Sequence, residues 1–298
     1  MKVAYRCDLS GACERQPFMV ISKNDFEYVS QLAHSEAALV IEPGKEYLVE
    51  CRLGPLALRE GFTSLAEFIQ HLRAEVKING LHHRAIDALT TNETLFFRDF
   101  HPFEALRRSI LPAVMEQQAS SRRLAIWSAA CSTGQEPYSL AMLLLEHFPQ
   151  LAGWTVSILA TDLSPTVLRR AQEGVYSQLE VNRGLPASYL VKYFTKREEK
   201  WCLKDEVKKL VEFRPMNLIQ PWPVMPPFDL VLIRNVMIYF DVATKQTILR
   251  KIRNCLLPHG YLFLGTAETT SNLDPEYRAV SFGKAVVYSV ASKVIPPP

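Results

Sequence analysis

Apolar residues in the first third of the chain recur at the spacing of a helix face. The first such set follows Ser22 and comprises Phe26, Val29, Leu32 and Ala33. Spacings of three and four residues place these side chains on one side of an α-helix. A second helix is predicted after Ser64, which matches a capping box with Glu67 three residues later, and a third over residues 81–89. Because no strand-like alternation interrupts this stretch, residues 21–89 are predicted to form a small helical domain.

Beyond this domain the pattern changes to short apolar runs that alternate with helical segments. A helix is marked by Phe103, Leu106, Ile110 and Val114, and candidate strands occupy residues 124–127, 156–160, 211–213, 228–233 and 261–265. Such alternation indicates parallel strands covered on both faces. Residues 278–288 are predicted to form a closing hairpin around Phe282-Gly283. We therefore predict a doubly wound α/β domain over residues 90–290, with a loose arm over 1–20 and a frayed tail over 291–298.

The composition is that of a soluble globular protein, with 48% hydrophobic and 22% charged residues in a chain of 298. No apolar run approaches the ~18 residues that span a membrane, and the opening residues lack the apolar core of a signal peptide. We therefore expect a cytoplasmic location without direct membrane insertion. The six cysteines are scattered without a C-x-x-C pair, which predicts neither a disulfide framework nor a zinc site. A net charge of +3 does not predict a nucleic-acid partner.

The most informative run spans residues 126–142, where an apolar strand ends in small residues and a helix follows. Small side chains between Ser128 and Gly134 allow the backbone to approach a ligand closely, and Pro137 suits the first turn of a helix. Gly134 stands alone, whereas a pyrophosphate-binding turn carries the spacing G-x-G-x-x-G. The acid Glu136 at the start of the helix favours a cationic, nucleotide-like cofactor over a phosphate. An ordinary buried strand, turn and helix without a ligand is the alternative.

Polar residues also follow other candidate strands, and ligands of a doubly wound sheet bind beyond the carboxyl ends of its strands. Asp162 is a candidate to accept hydrogen bonds from ribose hydroxyls, or else a helix cap. Asn217 is a candidate to bind the edge of an adenine, or else a turn residue. Arg234 and Asn235 interrupt an apolar segment and indicate a site or a structural ion pair. Arg98, between the two predicted domains, either meets a ligand or lies on the surface. The residues alone predict a methyltransferase-like or nucleoside-binding α/β domain.

Four motifs in order along the chain resemble the chemotaxis receptor methyltransferase (CheR) family, and the similarity extends over residues 20–290. The motifs are Thr91-Asn92-Glu93-Thr94-x-Phe96-Phe97-Arg98, the run from Trp127 to Ser139, Ala160-Thr161-Asp162-Leu163-Ser164, and Arg234-Asn235-Val236-x-Ile238-Tyr239-Phe240. The resemblance implies an enzyme that uses S-adenosylmethionine, without a metal, to methylate glutamate carboxylates on the cytoplasmic helical region of chemoreceptors, which releases S-adenosylhomocysteine. It also implies the class I methyltransferase form of the doubly wound sheet, mostly parallel with a closing antiparallel hairpin, and a small β-subdomain inserted at residues 175–216.

The resemblance assigns roles to individual residues. Those implied to line the cofactor site are Asn92, Thr94, Arg98, Glu136, Asp162, Asn217, Leu218, Arg234 and Asn235. Arg98 and Tyr239 are implied to face the substrate glutamate as well. A glutamate side chain has an ordinary pKa of about 4.3 and is already ionised at neutral pH, so its oxygen needs no general base to become a nucleophile. The protein is then expected to orient the two reactants and to exclude water.

Two segments depart from the family pattern. Members that dock on a receptor's C-terminal tether carry a glycine-rich loop in the inserted subdomain, whereas residues 195–206 contain no glycine, so tether docking is not predicted. Where relatives carry a basic helix in the helical domain, this chain offers little more than Arg52 and Arg59, and receptor contact there is a hypothesis.

Two alternative functions stay open. One is a methyltransferase with another substrate, such as a nucleic acid or a small amine, although the Asn-Pro-Pro-Tyr-like motif expected for those substrates does not follow the fourth strand. The other is a regulatory module that binds the cofactor without turnover.

Overall fold

The computed structural model describes residues 21–290 and, in addition, the backbone of a short antiparallel ladder. In that ladder β1 (Arg6–Cys7) pairs with β2 (Cys13–Glu14). The rest of the predicted arm over 1–20 and the predicted tail over 291–298 lie outside the described residues. The chain divides into two compact units, one ending at Thr90 and the other beginning at Thr91, and each is described separately.

The first unit is helical, which confirms the predicted all-helical domain. Its helices are α1 (Lys23–Ala37), α2 (Glu46–Arg59), α3 (Leu65–Ala74) and α4 (Gly80–Leu89). Their apolar faces enclose a core that includes Phe26, Val29, Leu53, Phe68 and Ile69. The sequence pattern does not predict α2, because Gly54-Pro55 stands inside it and both residue types disfavour a helix interior.

The start of α3 differs in one detail from the predicted capping box. The Ser64 hydroxyl accepts a hydrogen bond from the Glu67 amide at 3.1 Å, as predicted. The Glu67 carboxylate accepts from the amide and the hydroxyl of Thr63, at 2.8 and 2.6 Å, one residue earlier than the pattern predicts. A full capping box begins α4 instead, where the side chains of Asn79 and His82 each bond the other residue's amide.

The second unit alternates helices and strands. Its first elements are α5 (His101–Ala105), α6 (Leu111–Gln117), β3 (Arg123–Ala129), α7 (Gln135–His147), β4 (Thr155–Asp162) and α8 (Pro165–Glu173). Then follow β5 (Val175–Ser177), α9 (Gln178–Asn182), α10 (Ala187–Tyr193), β6 (Phe194–Arg197), β7 (Lys200–Leu203) and α11 (Asp205–Lys208). The last elements are β8 (Val211–Pro215), β9 (Phe228–Ile233), α12 (Val242–Cys255), β10 (Leu256–Leu264), β11 (Tyr277–Phe282) and β12 (Ala285–Val290).

A sheet of seven strands in the order β11-β12-β10-β9-β3-β4-β8 forms the centre of this unit. The strands from β10 to β8 are parallel, whereas β11 and β12 form an antiparallel hairpin beside β10, with β11 as the outermost strand. This arrangement confirms the predicted doubly wound, mostly parallel sheet with its closing hairpin. Because the parallel strands share one direction, their carboxyl ends lie along one edge of the sheet. That edge is formed by Ala129, Asp162, Pro215, Ile233 and Leu264.

The helix predicted from Phe103 to Val114 contains a π-helical turn, Leu106–Ile110, between α5 and α6. Pro112, in the first turn of α6, has no amide hydrogen to donate to the carbonyl four residues earlier. The preceding Leu111 amide bonds the carbonyl of Leu106, five residues back, which is the π pattern.

The inserted segment contains its own small antiparallel sheet in the order β5-β7-β6, with α9, α10 and α11 around it. Its hairpin β6–β7 turns at Glu198 with φ 52°, so the chain reverses there without a glycine. Residues 211–215, at the end of the predicted inserted range 175–216, return to the main sheet as β8 beside β4. The predicted main-sheet strand at 211–213 is thereby confirmed.

Candidate cofactor and active site

The loop between β3 and α7 follows an unusual backbone path at the carboxyl edge of the sheet. Ala130, Ser132 and Gly134 all have positive φ, at 56°, 51° and 91°. For a residue with a side chain this left-handed conformation costs roughly 1–2 kcal/mol, and such strain concentrates at functional sites.

Burial raises the pKa of the Cys131 thiol well above its ordinary range, and the nearby Asp162 and Glu136 carboxylates add to the effect. Cys131 is therefore a neutral thiol and not a nucleophile.

Gly134 is required by its surroundings as well as by its φ. A Cβ at this position would lie 3.0 Å from the Ala171 Cβ, 3.2 Å from the Tyr138 ring and 3.3 Å from the Tyr176 hydroxyl. That hydroxyl donates to the Thr133 carbonyl at 2.8 Å and so holds the loop from the opposite side. The absence of a side chain at Gly134 therefore allows the loop to pack against these residues, besides its predicted role of admitting a ligand close to the backbone.

Asp162, at the end of β4, ties two loops together. Its Oδ2 accepts a hydrogen bond from the Ser132 amide at 2.8 Å, and its Oδ1 accepts from the Ser164 amide at 3.0 Å. The helix-cap role considered for Asp162 belongs to Ser164, whose hydroxyl accepts from the Val167 amide at the start of α8. The Asp162 carboxylate therefore fixes the loop after β3 and the loop after β4 relative to each other.

Three charged side chains converge where β3 and β9 end. Arg234 Nη1 donates to Glu136 Oε2 at 2.9 Å, and Arg234 Nη2 donates to Asp99 Oδ2 at 2.7 Å. Glu136 Oε1 also accepts from the Ser128 hydroxyl at 2.8 Å. The Arg234 side chain is only 2% exposed, against 13% for Glu136 and 31% for Asp99. Two carboxylates and one guanidinium leave this cluster with a formal charge of −1, so the acid at the helix start is paired yet the site stays anionic.

Buried polar atoms without a partner mark the same place. Among the described residues, the side-chain atoms in this condition are Ser30 Oγ, Arg234 Nε, Asn235 Oδ1, Arg253 Nε and Ser289 Oγ. Two of them belong to the consecutive residues Arg234 and Asn235. An unsatisfied buried polar group costs about 1–3 kcal/mol, and at a strand end that faces a candidate site this pair indicates a place for a ligand.

The segment that carries the first motif packs on the loop after β3 and on α7. The Asn92 carbonyl accepts from the Ser132 hydroxyl at 2.9 Å, and the Phe97 amide donates to the Ser139 hydroxyl at 2.9 Å. Phe97, Asp99 and Phe100 have φ of 49°, 69° and 45°, which is a second concentration of left-handed, non-glycine backbone. The fold therefore brings the first and second motifs together, and Thr94, within the first motif, is half-buried.

Arg98 contributes to the site through its backbone and has a guanidinium that remains partly exposed. Its carbonyl accepts from Arg234 Nη2 at 3.0 Å, and its Nη1 donates to the Glu93 carbonyl at 3.1 Å. Beside it lies a cavity of about 610 Å³ whose lining includes Phe97, Phe103 and Tyr189. Arg98 thus stands between the charged cluster and an aromatic cavity.

Asn217 and Leu218, after β8, are placed in a turn. The Asn217 Oδ1 accepts from the Ile219 amide at 3.1 Å, which is an Asx turn and supports the turn interpretation. Leu218 is buried, and its carbonyl accepts from Trp222 Nε1 at 3.0 Å. The turn joins the site through the preceding Met216 amide, which donates to the Asp162 carbonyl at 2.9 Å.

Tyr239 ends a single 3₁₀ turn, Met237–Tyr239, that follows Asn235. Asn235 itself has φ 59°, a conformation that asparagine tolerates better than most residues. The Tyr239 hydroxyl has no hydrogen-bond partner within residues 21–290. The turn therefore places a half-buried phenol with a free hydroxyl directly after the strand end that carries Arg234 and Asn235.

Sequence reasoning did not single out Asp99 or Glu268. Asp99 adjoins Arg98 but pairs with a residue 135 positions away, so no local pattern reveals it. Glu268 follows β10 and accepts from the Asn235 amide at 2.8 Å. The rule that residues after each parallel strand line the site would have found Glu268 had it been extended to the strand at 261–265.

Within residues 21–290, no helix combines the length and apolar character needed to cross a membrane. In the same range, no three His, Cys, Asp or Glu side chains are grouped as they would be around a metal ion.

Comparisons with known proteins match nearly the whole chain. A family model described as CheR methyltransferase, SAM binding domain, matches residues 92–286, and one described as CheR methyltransferase, all-alpha domain, matches residues 24–90. A chemotaxis protein methyltransferase 1 of Pseudomonas aeruginosa is 40% identical over 274 residues, which cover 91% of this chain and 99% of that protein. Chemotaxis protein methyltransferase Cher2 of Pseudomonas putida is 38% identical, covering 89% of this chain and 97% of its own length. A chemotaxis protein methyltransferase of Vibrio parahaemolyticus is also 38% identical, with coverages of 91% and 98%.

Proposed function

The chain belongs to the CheR methyltransferase family, and from this premise we propose that it transfers the methyl group of S-adenosylmethionine to glutamate side-chain carboxylates of chemoreceptors. Family membership makes it an S-adenosylmethionine-dependent methyltransferase of chemotaxis. In the proposed reaction a carboxylate oxygen forms a bond to the methyl carbon while the carbon–sulfur bond breaks. The bonding electron pair stays on sulfur, and the products are a glutamate methyl ester and S-adenosylhomocysteine.

The residues at the carboxyl edge fit this cofactor in charge, shape and hydrogen bonding. The cluster of Glu136, Arg234 and Asp99 carries a formal charge of −1, which favours the positively charged amino and sulfonium groups. The small residues up to Gly134 admit a ligand close to the backbone, and the unpartnered Asn235 Oδ1 offers an acceptor. When bound, the cofactor supplies a methyl group activated by its positively charged sulfur.

We propose that the cofactor site comprises the residues that the sequence motifs indicate. They are Asn92, Thr94, Arg98, Glu136, Asp162, Asn217, Leu218, Arg234 and Asn235. Support for Asp162 as the ribose partner is its place at the end of β4, where two backbone hydrogen bonds fix the direction of its carboxylate. Support for Glu136 is its bonds to Ser128 and Arg234, which fix the direction of the carboxylate.

Arg98 and Tyr239 are proposed to orient the substrate glutamate. The Arg98 side chain donates to the Glu93 carbonyl, and a guanidinium has five donor positions, so donors remain for a carboxylate. The Tyr239 hydroxyl can donate to the same carboxylate without taking a proton from it. Because the glutamate is already ionised at neutral pH, the two side chains contribute by alignment and by exclusion of water rather than by general base catalysis.

The observation that carries the proposal is the convergence at one sheet edge of three motifs that are far apart in sequence. The Arg98 carbonyl, Glu136 and Arg234 come from separate motifs and, together with Asp99, which directly follows the first motif, form one hydrogen-bonded cluster beside the unpartnered Asn235 Oδ1. A buried strand, turn and helix with no ligand would not need a charged cluster at its open end.

Receptor contact through the helical domain is a further part of the proposal, with Arg59 as the better candidate. Arg52 Nη1 donates to the carbonyls of Leu89 and Thr90, at 2.6 and 2.5 Å, so its charge reversal would also disturb the end of α4. Arg59 is exposed at the end of α2. If this helix meets an acidic receptor surface, Arg59→Glu raises the KM for the receptor and leaves cofactor affinity unchanged; an unchanged KM rejects the contact.

The inserted hairpin gives no support for docking on a receptor tether. Its turn at Glu198 lacks glycine, and the neighbouring strand residues Lys196, Arg197 and Lys200 are exposed. We propose that the enzyme acts in the cytoplasm on the helical region of receptors, and that recruitment to receptor arrays in the membrane comes from this contact alone.

The proposed function is tested by incubating the full chain with S-adenosylmethionine labelled in the methyl group and with cytoplasmic fragments of chemoreceptors. We expect label on the fragment that mild base releases as methanol, because a glutamate methyl ester is base-labile. A fragment whose candidate glutamates are replaced by alanine is the matched control and stays unlabelled. Base-stable label indicates a methyltransferase with another substrate, and S-adenosylhomocysteine binding without any transfer indicates a regulatory module; either outcome overturns the proposal.

A further inference from the structure

The carboxylate of Glu268 holds the backbone of the turn that carries Asn235 and Tyr239. Glu268 Oε2 accepts hydrogen bonds from the Asn235 amide at 2.8 Å and the Gly265 amide at 2.6 Å. Its Oε1 accepts from the Ile238 amide at 3.2 Å. One side chain therefore joins the loops that follow two neighbouring parallel strands, β9 and β10, at the edge where the site lies.

The turn needs such an anchor because its backbone is not held by regular secondary structure. Asn235 has φ 59°, which disfavours its conformation relative to the ordinary helical or extended regions. The amides of Asn235 and Ile238 point into the turn, where the carboxylate satisfies both. The Asn235 amide is partly buried and would lose its acceptor, which is costly, so loss of the carboxylate favours a different path for residues 235–239.

Gly265 makes the close approach of the two loops possible. A Cβ at this position would lie 2.8 Å from Glu268 Oε2, 2.6 Å from Asn235 Nδ2 and 2.8 Å from the Asn235 amide nitrogen. Contacts below 3.0 Å to backbone do not occur for real Cβ atoms. Gly265 and Glu268 therefore act as one unit that fixes where the Asn235 side chain lies.

We infer that Glu268 is a positioning residue for methyl transfer. Through the backbone of the turn, it holds the Asn235 side-chain carboxamide against the cofactor and the Tyr239 hydroxyl against the substrate. The inference rests on the proposed function for the roles of Asn235 and Tyr239, and on the three amide contacts for the anchor itself. Glu268 touches neither reactant in this account; it acts through the backbone of the turn.

A carboxylate with this side-chain length is the group that satisfies all three amides. Glutamine keeps one oxygen but places an NH2 donor opposite an amide N–H, so at least one of the three bonds becomes a contact between donors. Aspartate is shorter by one methylene and withdraws from the amides. We therefore expect turnover to decrease in the order Glu, Gln, Asp at position 268.

The test compares Glu268→Gln and Gly265→Ala with the matched control Glu276→Gln. Glu276 lies in the same connection after β10 and is about half exposed, with only a 3.6 Å contact to Arg253. Hydrogen exchange of the Asn235, Ile238 and Gly265 amides reports the anchor, and kcat, KM and S-adenosylhomocysteine affinity report its use. In Glu268→Gln and Gly265→Ala we expect exchange at those amides to accelerate at least tenfold and kcat to fall about 10–100-fold, as misplacement of reacting groups by ~1 Å does. The control changes none of these.

The readouts separate positioning from a purely structural role. A kcat that falls only in proportion to the folded fraction, measured by thermal melting, overturns the inference, and so does unchanged amide exchange. If wild-type protein does not methylate receptor fragments, the proposed function fails. The anchor is then still judged by amide exchange and by S-adenosylhomocysteine affinity in the two variants, and it is overturned if either quantity is unchanged. If Glu268→Gln does not fold, Gly265→Ala decides, because its added methyl group displaces the same contacts while the Glu268 carboxylate is retained.

Discussion

Replacing Arg234 by methionine removes the one positive charge from the cluster at the end of β9 and keeps a side chain of similar length. Arg234 makes hydrogen bonds to Glu136 at 2.9 Å, to Asp99 at 2.7 Å and to the Arg98 carbonyl at 3.0 Å. Its side chain is 2% exposed, so water does not replace these bonds when the guanidinium is lost.

The expected loss of stability follows from the burial of the partners. Breaking a buried ion pair by removing one partner costs about 3–5 kcal/mol. Glu136, at 13% exposed, approaches this case, whereas Asp99 is about a third exposed and its share is screened by solvent. The Arg234→Met variant is therefore expected to lose about 3 kcal/mol in the free energy of unfolding of the second unit. Arg234→Lys retains the charge but cannot bond both carboxylates in a fork, and an intermediate loss of about 1–2 kcal/mol is expected by the same reasoning.

Denaturant unfolding of the whole chain, followed by tryptophan fluorescence, measures these values. Arg214→Met is the matched control, because Arg214 forms an equally short pair with Glu212, at 2.7 Å, on an exposed surface with side chains 54% and 63% accessible. The free energy of unfolding of this control is expected to change by less than about 0.5 kcal/mol. If Arg234→Met unfolds at the same denaturant concentration as Arg214→Met, the cluster is not a buried ionic network and the reasoning about its charge is refuted.

Further variants probe the binding, alignment and stability roles separately. Tyr239→Phe is expected to lower kcat about tenfold or more through lost alignment while S-adenosylhomocysteine affinity stays within about twofold of wild type; a large loss of affinity, measured by calorimetry, contradicts the substrate-facing role. Asp162→Ala releases the Ser132 and Ser164 amides and any ribose contact, and affinity is expected to fall about 10–100-fold for a lost charged hydrogen bond; unchanged affinity removes Asp162 from the site. Arg98→Ala is expected to reduce both cofactor binding and turnover, and normal steady-state turnover removes Arg98 from the site. Asp229→Ala, at the amino ends of the parallel strands, removes the acceptor of the Ala125 amide, Gln118 and His259. It is expected to destabilise the fold by about 1–3 kcal/mol for the buried amide left unsatisfied and to leave the affinity of the folded protein unchanged; a wild-type denaturation midpoint contradicts the buried role.

The sheet was predictable because its parallel strands are buried on both faces. β9 is buried along its whole length, and the apolar run over residues 230–233 within it is what such a strand requires. The start of β10 was harder to place, because the strand begins at Leu256, before a register shift and the stretch Pro258-His259-Gly260 that breaks the apolar run. Helix α2 was not predicted for the related reason that tertiary packing of Val49 and Leu53 outweighs the local effect of Gly54-Pro55.

The candidate site was predictable to the extent that its residues lie directly after strands. Glu136, Asp162, Arg234 and Asn235 satisfy that rule and converge in the structure. What the local pattern does not contain is the pairing between them. An acid at a helix start predicts an open anionic site, whereas the structure pairs it with an arginine 98 residues away and adds a second acid to restore the negative charge.

Strain in the backbone was invisible in the sequence for a different reason. Ala130, Ser132, Phe97 and Asn235 adopt left-handed conformations that their residue types do not announce, apart from the tolerance of asparagine. These conformations are stabilised by contacts between distant segments, such as the Phe97 amide with the Ser139 hydroxyl and the Asn235 amide with Glu268. Only a three-dimensional structure reveals them, and they lie at the same sheet edge as the charged cluster.

Equilibrium dialysis of the full chain against radiolabelled S-adenosylhomocysteine tests most directly whether the loops at the carboxyl edge bind the proposed cofactor. We predict saturable binding of one molecule per chain that unlabelled S-adenosylmethionine displaces and that Asp162→Ala weakens. Absence of saturable binding, or binding that Asp162→Ala and Arg98→Ala both leave unchanged, contradicts the account.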